Sequence, residues 1–129
     1  MRLRGHDQGF VTAPPEAVYA ALADPSTYRR WWPGASATGA DGVIRLPLGR
    51  GTVDARPEGH REGVGLYLTV PRGSIEWYLE PFEEGSIVNA FSDLDLPGGP
   101  RRAARRLHAA RSSIHAALVH LKRWMEPSS

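Results

Sequence analysis

The chain of 129 residues contains no cysteine, which excludes disulfide bonds, thiol nucleophiles and cysteine-ligated metal sites. It also contains no apolar run near the ~20 residues that a membrane-spanning helix needs, so stable membrane insertion is not expected. No apolar core of a signal peptide follows Met1. We therefore expect a cytoplasmic protein.

Motifs that bind metals or nucleotides, or that activate a serine, are missing as well. The five histidines are dispersed, and none forms the i,i+4 pair with a nearby acid that a zinc site needs. The segment Gly49-Arg50-Gly51 lacks the third glycine of a dinucleotide-binding loop, and no Gly-x-Ser-x-Gly occurs. We expect neither a metal nor any other cofactor.

Length and composition indicate a single globular domain spanning residues 1–129. Hydrophobic residues make up 41% of the chain and charged residues 23%, a balance typical of folded proteins. The formal net charge is only +2, so the surface as a whole is not expected to bind nucleic acid.

Charge is distributed unevenly along the chain. Residues 100–126 contain seven basic residues and one acid, Glu126, and stand at +6, whereas the remainder, with nine basic and thirteen acidic residues, stands at −4. This segment has no internal proline or glycine, and its apolar residues recur at three- and four-residue steps, which predicts one long amphipathic helix. Its apolar face consists of Leu107, Ala110, Ile114, Leu118, Leu121 and Met125.

The rest of the chain predicts a short strand, two short helices and then an antiparallel meander. The strand covers Phe10–Thr12, and helices follow Ala13 and Asp24. Between residues 35 and 96, runs of alternating apolar and polar residues are separated by turn sequences such as Asp41-Gly42 and Pro57–His60. The predicted fold class is therefore α+β, with the order β-α-α-β6-α.

Two motifs and this element order resemble the START-like helix-grip superfamily (SRPBCC), in particular its polyketide cyclase/dehydrase and lipid-transport branch. The first motif runs from Phe10 to Pro33: an apolar strand end, Ala-Pro, a helix, Asp24 and then Trp31-Trp32. The second is the late hairpin from Trp77 to Ser86. The resemblance implies a curved sheet of about seven strands that grips the C-terminal helix and leaves an elongated apolar cavity between them.

Residues on the inward faces of this architecture are the candidates for ligand contact. They are Trp77, Trp32, Leu66, Leu68, Ile75, Leu79, Leu107, Arg111 and Ile114. The alternative that they form only a packed core stays open, because a core and an apolar cavity use the same residue types. Tyr67 and Tyr78 have the opposite phase and are expected on the convex face of the sheet.

Three functions remain open at this stage. The first is binding of an apolar or aromatic small molecule, lipid-like or polyketide-like, in that cavity. The second, implied by the resemblance, is a polyketide cyclase, aromatase or dehydratase, with Arg111, Arg56, Tyr28 and Trp77 as the residues to test. The third is an interaction or regulatory protein that docks through the arginine-rich helix. Enzyme status and oligomeric state stay undetermined.

Four arginines lie in the first turns of the predicted helix: Arg101, Arg102, Arg105 and Arg106. The helix dipole disfavours cations there, so local helix preference does not explain them. In one interpretation they form a solvated face that is paired with acids such as Asp93 and Asp95. In the other they bind anionic ligands or phospholipid headgroups beside Gly98-Gly99.

Overall fold

A computed structural model describes residues 1–37 and 41–126, and all structural statements concern these residues. One curved antiparallel sheet holds seven strands in the order β1-β7-β6-β5-β4-β3-β2. The strands are β1 (Arg2–Val11), β2 (Ser36–Ala37), β3 (Ile44–Leu48), β4 (Gly51–Arg61), β5 (Gly65–Val70), β6 (Gly73–Phe82) and β7 (Gly85–Asp95). The helices are α1 (Pro15–Ala23), α2 (Tyr28–Trp31) and α3 (Pro100–Met125). The predicted α+β helix-grip class is confirmed.

Local sequence explains where the two short helices begin. Pro15 occupies the first turn of α1, where its missing N–H costs no hydrogen bond. A single 3₁₀ turn, Pro25–Thr27, then leads into α2, and the Asp24 carboxylate caps it by accepting a hydrogen bond from the Ser26 N–H at 3.0 Å. No described helix is long and apolar enough to cross a membrane.

The first strand is much longer than predicted, and two glycines explain why the sequence pattern concealed it. β1 pairs with β7 along its whole length, from Arg2 opposite Asp95 to Val11 opposite Ser86. Gly5 and Gly9 occupy positions where α3 passes closely: a Cβ on Gly9 would lie 3.3 Å from the Leu118 Cβ. Because glycine replaces apolar side chains beneath the helix, the strand shows no apolar alternation.

Two further expectations about the meander were wrong. Pro57–His60 is not a turn: β4 continues to Arg61, with a register shift after Glu58 and a positive φ of 61° at Gly59. The alternation of Val64 with Leu66, Leu68 and Val70 predicts an inward-facing Val64, but this residue precedes β5 and is 37% exposed. Part of the strand predicted before Asp41-Gly42, residues 38–39, lies outside the described residues.

The pairing of β5 with β6 requires a glycine at position 65. A Cβ on Gly65 would collide with the Trp77 carbonyl oxygen, whereas a Cβ on Gly51, also in a strand, would meet nothing within 4 Å. We expect Gly65→Ala to lower the free energy of unfolding by about 1–3 kcal/mol through this overpacking. Urea denaturation measures the effect, with Gly51→Ala as the matched control. Equal stability of the two variants would contradict this account of the β5–β6 contact.

Candidate ligand-binding cavity

Four aromatic side chains fill one region of the protein interior, where α2 lies against the sheet. Tyr28, Trp31, Trp32 and Trp77 are each at most 1% exposed. The ring centroids of Trp31 and Trp32 lie 6.0 Å and 6.3 Å from that of Trp77, in edge-on arrangements that aromatic rings favour. This aromatic cluster belongs to the packed core.

Every polar group of the aromatic cluster has a partner within the protein. Trp77 donates its indole N–H to the Tyr28 hydroxyl at 3.2 Å, and Tyr28 donates in turn to the Leu22 carbonyl at 2.7 Å. The Trp32 indole donates to the Pro47 carbonyl at 2.8 Å, and the Trp31 indole donates to the Thr27 hydroxyl. These donors are therefore already satisfied without a ligand.

Burial raises the pKa of the Tyr28 hydroxyl well above its ordinary value, and the hydrogen bond from Trp77 only partly offsets this effect. Tyr28 is therefore a neutral phenol at physiological pH. The hydroxyl donates its hydrogen bond to the Leu22 carbonyl, and this bond fixes α1 against the start of α2.

Open space lies at the other end of the interior, beside the first turns of α3. A cavity of about 680 Å³ extends between this helix, the β3–β4 turn, the β5–β6 turn and the segment after β7. Its volume falls in the range typical of small-molecule sites, about 300–1,000 Å³. Its apolar wall includes Leu48, Val53, Val70, Leu94, Leu96 and Ala110.

Five arginines line the same cavity: Arg50, Arg72, Arg102, Arg105 and Arg106. All five are exposed, and among the described residues none forms an ion pair with a carboxylate. Asp95 is the one acid that lines it, and its carboxylate lies 3.3 Å from the amino group of Met1. The cavity therefore combines an apolar wall with a strongly cationic opening.

Helical spacing places the arginines and the small residues of α3 on one face. The helix residues that line the cavity lie three or four positions from one another or directly adjacent, which places them on one face: Arg102, Arg105, Arg106, Ala109 and Ala110. Arg101 lies on another face and does not line it. This face carries arginines near the start of the helix and small apolar side chains one turn further on.

A hydrogen bond joins the turn that carries Arg50 to α3. The Gly49 N–H donates to the Ser113 hydroxyl at 2.9 Å, and that hydroxyl also contacts the Ala109 carbonyl at 3.4 Å. Gly49 has a positive φ of 66°, a conformation that glycine adopts without strain. The turn is thus fixed at the cavity wall.

The candidates for ligand contact lie outside this cavity. Trp77 and Trp32 are in the aromatic cluster, and Leu107 is partly buried against the core. The remaining apolar candidates are each at most 3% exposed and line no part of the cavity: Leu66, Leu68, Ile75, Leu79 and Ile114. Val70 lines the cavity two residues beyond Leu68 on the same strand.

The three catalytic candidates lie in three separate places. Arg111 forms an ion pair with Asp7 of β1, at 3.2 Å, and donates to the His6 carbonyl at 2.9 Å. Arg56 lines a second, smaller pocket of about 270 Å³ near Asp41 and His60. Tyr28 is in the aromatic cluster. Among the described residues, no group of three or more His, Cys, Asp or Glu side chains is arranged to hold a metal ion.

The resemblance implies a cavity between the sheet and the C-terminal helix, but the residues named for its lining are not those of this cavity. The sequence contained one signal for its position. The arginines of the first turns of α3 are placed against the helix dipole, and three of those four line the cavity. The expected partners do not neutralise them: Asp93 pairs with Arg2 and Arg4, and Asp95 with the amino group of Met1.

No family model and no curated protein matches the chain. Solved structures do match over nearly the whole chain. The Aha1 dimer from Colwellia psychrerythraea is 16% identical with a TM-score of 0.72, and 96% of each chain is covered. The Zhui aromatase/cyclase from Streptomyces sp. R1128 is 13% identical with a TM-score of 0.72, over 97% of this chain and 94% of that one. The KanY protein is 18% identical with a TM-score of 0.73, over 98% and 99%.

At these identities the similarity shows the fold alone. The chain has the helix-grip fold that the resemblance of its sequence motifs implies. What its neighbours bind or catalyse is a property of those proteins.

The Tyr28 hydroxyl links Trp77 to Leu22 and can be removed without changing the shape of the ring. We expect Tyr28→Phe to lower the free energy of unfolding by about 1–3 kcal/mol, because a buried N–H and a buried carbonyl lose their partner. Urea denaturation followed by tryptophan fluorescence measures this loss. Tyr67→Phe, at a residue that is 41% exposed, serves as the control and should be nearly neutral.

The raised pKa of Tyr28 also predicts a pH dependence. A phenol whose pKa is higher in the folded than in the unfolded protein stabilises the fold fully below the unfolded value of 10.0. That contribution decreases as the pH rises above about 10. The free energy of unfolding of the wild type should therefore fall more steeply above that pH than that of Tyr28→Phe. Parallel curves for the two proteins would show that Tyr28 does not titrate on unfolding.

Proposed function

We propose that this protein binds a small molecule with an apolar or aromatic body in the cavity beside the first turns of α3. The observation that carries the proposal is the cavity of about 680 Å³ beside α3, with apolar residues in its wall. A core that needed only packing would fill that space with side chains, as the aromatic cluster does elsewhere in the same interior.

The small residues of the helix support the same proposal. Ala109 and Ala110 lie where larger residues of an amphipathic helix would close the cavity. Small side chains at this point leave room for the body of a ligand next to Leu48 and Val53. The fold is that of an aromatase/cyclase among other proteins, and its architecture is compatible with such a ligand.

Catalysis receives no specific support from the described residues. Arg111, Arg56 and Tyr28 do not converge, and Tyr28 and Arg111 are engaged in bonds within the protein. Docking of a protein partner through the arginine-rich helix is less well supported than ligand binding, because three of the four arginines line a concave cavity.

A larger side chain in the wall should block binding. The probe is N-phenyl-1-naphthylamine, an uncharged aromatic molecule whose fluorescence increases in an apolar site. We expect Ala109→Leu to weaken its binding about tenfold, because the added atoms occupy the space of the ligand. Fluorescence titration measures the dissociation constant.

Ala104→Leu is the matched control, since Ala104 is exposed on the same helix and does not line the cavity. Wild type and Ala104→Leu should bind the probe alike. Absence of binding to the wild type, together with no molecule retained in native mass spectrometry, would refute the proposed function.

A further inference from the structure

We infer that the ligand of this cavity is a free organic anion, with its charged group at the first turns of α3 and its apolar body beyond them. The inference rests on the proposed function and specifies the chemical class of the ligand. A carboxylate, sulfonate, phosphate or enolate group on an apolar body has the required chemistry.

The first argument is the charge of the cavity. Five arginines line it, and its one acid, Asp95, lies beside the amino group of Met1. Elsewhere in the described chain, five arginines form ion pairs, among them Arg111 with Asp7 and Arg61 with Glu76 at 3.5 Å, and five do not. Half of the ten arginines without an ion pair among the described residues therefore line this one cavity.

The second argument is their convergence from three different segments. Arg50 comes from the β3–β4 turn, Arg72 from the β5–β6 turn and Arg102, Arg105 and Arg106 from α3. Like charges gathered around one concavity repel one another, and a bound anion would relieve that repulsion. Guanidinium groups also form paired hydrogen bonds with carboxylates and related anions.

The third argument is the placement of the arginines within the helix. The first turn of α3 holds no acidic residue, and the N-cap Gly99 offers no side-chain acceptor. The positive end of the helix dipole adds to the field of the arginines instead of being compensated. An anion at the opening would interact favourably with both.

The fourth argument gives the orientation of the ligand. Along the cavity-lining face of α3, Arg102, Arg105 and Arg106 are followed by Ala109 and Ala110. Leu48 and Val53 lie on the same cavity wall as these alanines. The charged group of the ligand is thus expected at the arginines and its apolar body against the alanines.

Two probes that differ by one anionic group test the inference. N-phenyl-1-naphthylamine is neutral, and 8-anilino-1-naphthalenesulfonate has the same aromatic body with a sulfonate. We expect the wild type to bind the sulfonate about tenfold more tightly than the neutral probe, and this preference should shrink as salt screens the arginines. Equal affinity for the two probes would refute the inference while leaving the proposed function intact.

Paired variants assign the preference to particular arginines. Arg102→Gln with Arg105→Gln removes two charges that line the cavity, and Arg101→Gln with Arg123→Gln removes two exposed charges of the same helix that do not. The first pair should lose about tenfold in affinity for the sulfonate and keep its affinity for the neutral probe. Equal losses in the two pairs would show a general effect of net charge and refute the assignment.

Vesicles distinguish a free anion from an anionic lipid surface. Phosphatidylcholine vesicles containing phosphatidylglycerol should leave the protein in the supernatant and the bound sulfonate undisplaced. Co-sedimentation of the wild type that is abolished by the first pair of variants would assign the arginines to lipid headgroups, and would overturn the inference of a free ligand.

Discussion

The hydrogen-bonded aromatic cluster around Trp77 determines which part of the interior is densely packed. Trp77 binds Tyr28, and Tyr28 binds Leu22, so a residue of β6 holds the end of α1 and the start of α2 in place. Three indoles and a phenol then occupy the space between α2 and the sheet. Beyond this filled region, a cavity of about 680 Å³ lies where α3 begins.

The position of α3 depends on a contrast between its two sides. On β1, Gly5 and Gly9 let the helix approach so closely that a Cβ on Gly5 would lie 2.8 Å from Arg111. The ion pair between Arg111 and Asp7 stabilises that contact at its edge. On the side of the β3–β4 and β5–β6 turns, alanines and arginines of the helix leave a gap instead. One helix is therefore packed tightly against one strand, whereas a cavity lies between its other side and parts of the adjacent turns.

Sequence patterning predicted the fold well because the fold depends on periodicity. The apolar stripe of α3, the alternation in β5 and β6 and the Asp24 cap are local signals, and each element formed as expected. The lining of the cavity was not predictable in the same way. Periodicity shows which face of a strand is buried, but Leu68 and Val70 share a face and only Val70 lines the cavity. That difference depends on how side chains distant in sequence fill the interior, as Trp77 and Tyr28 do.

The distribution of charge is the feature that packing alone does not explain. The part of the chain outside α3 has an excess of acids, yet the acids near the arginines are engaged elsewhere, Asp93 with Arg2 and Arg4 and Asp95 with the amino group of Met1. Exposed ion pairs contribute little stability. The main effect of these pairings is that the two carboxylates are neutralised by other cations and do not cancel the positive potential of the arginines. A concave surface concentrates the field of the charges around it. With nearby carboxylates held by other cations, the arginines keep their full attraction for an anion that enters the cavity.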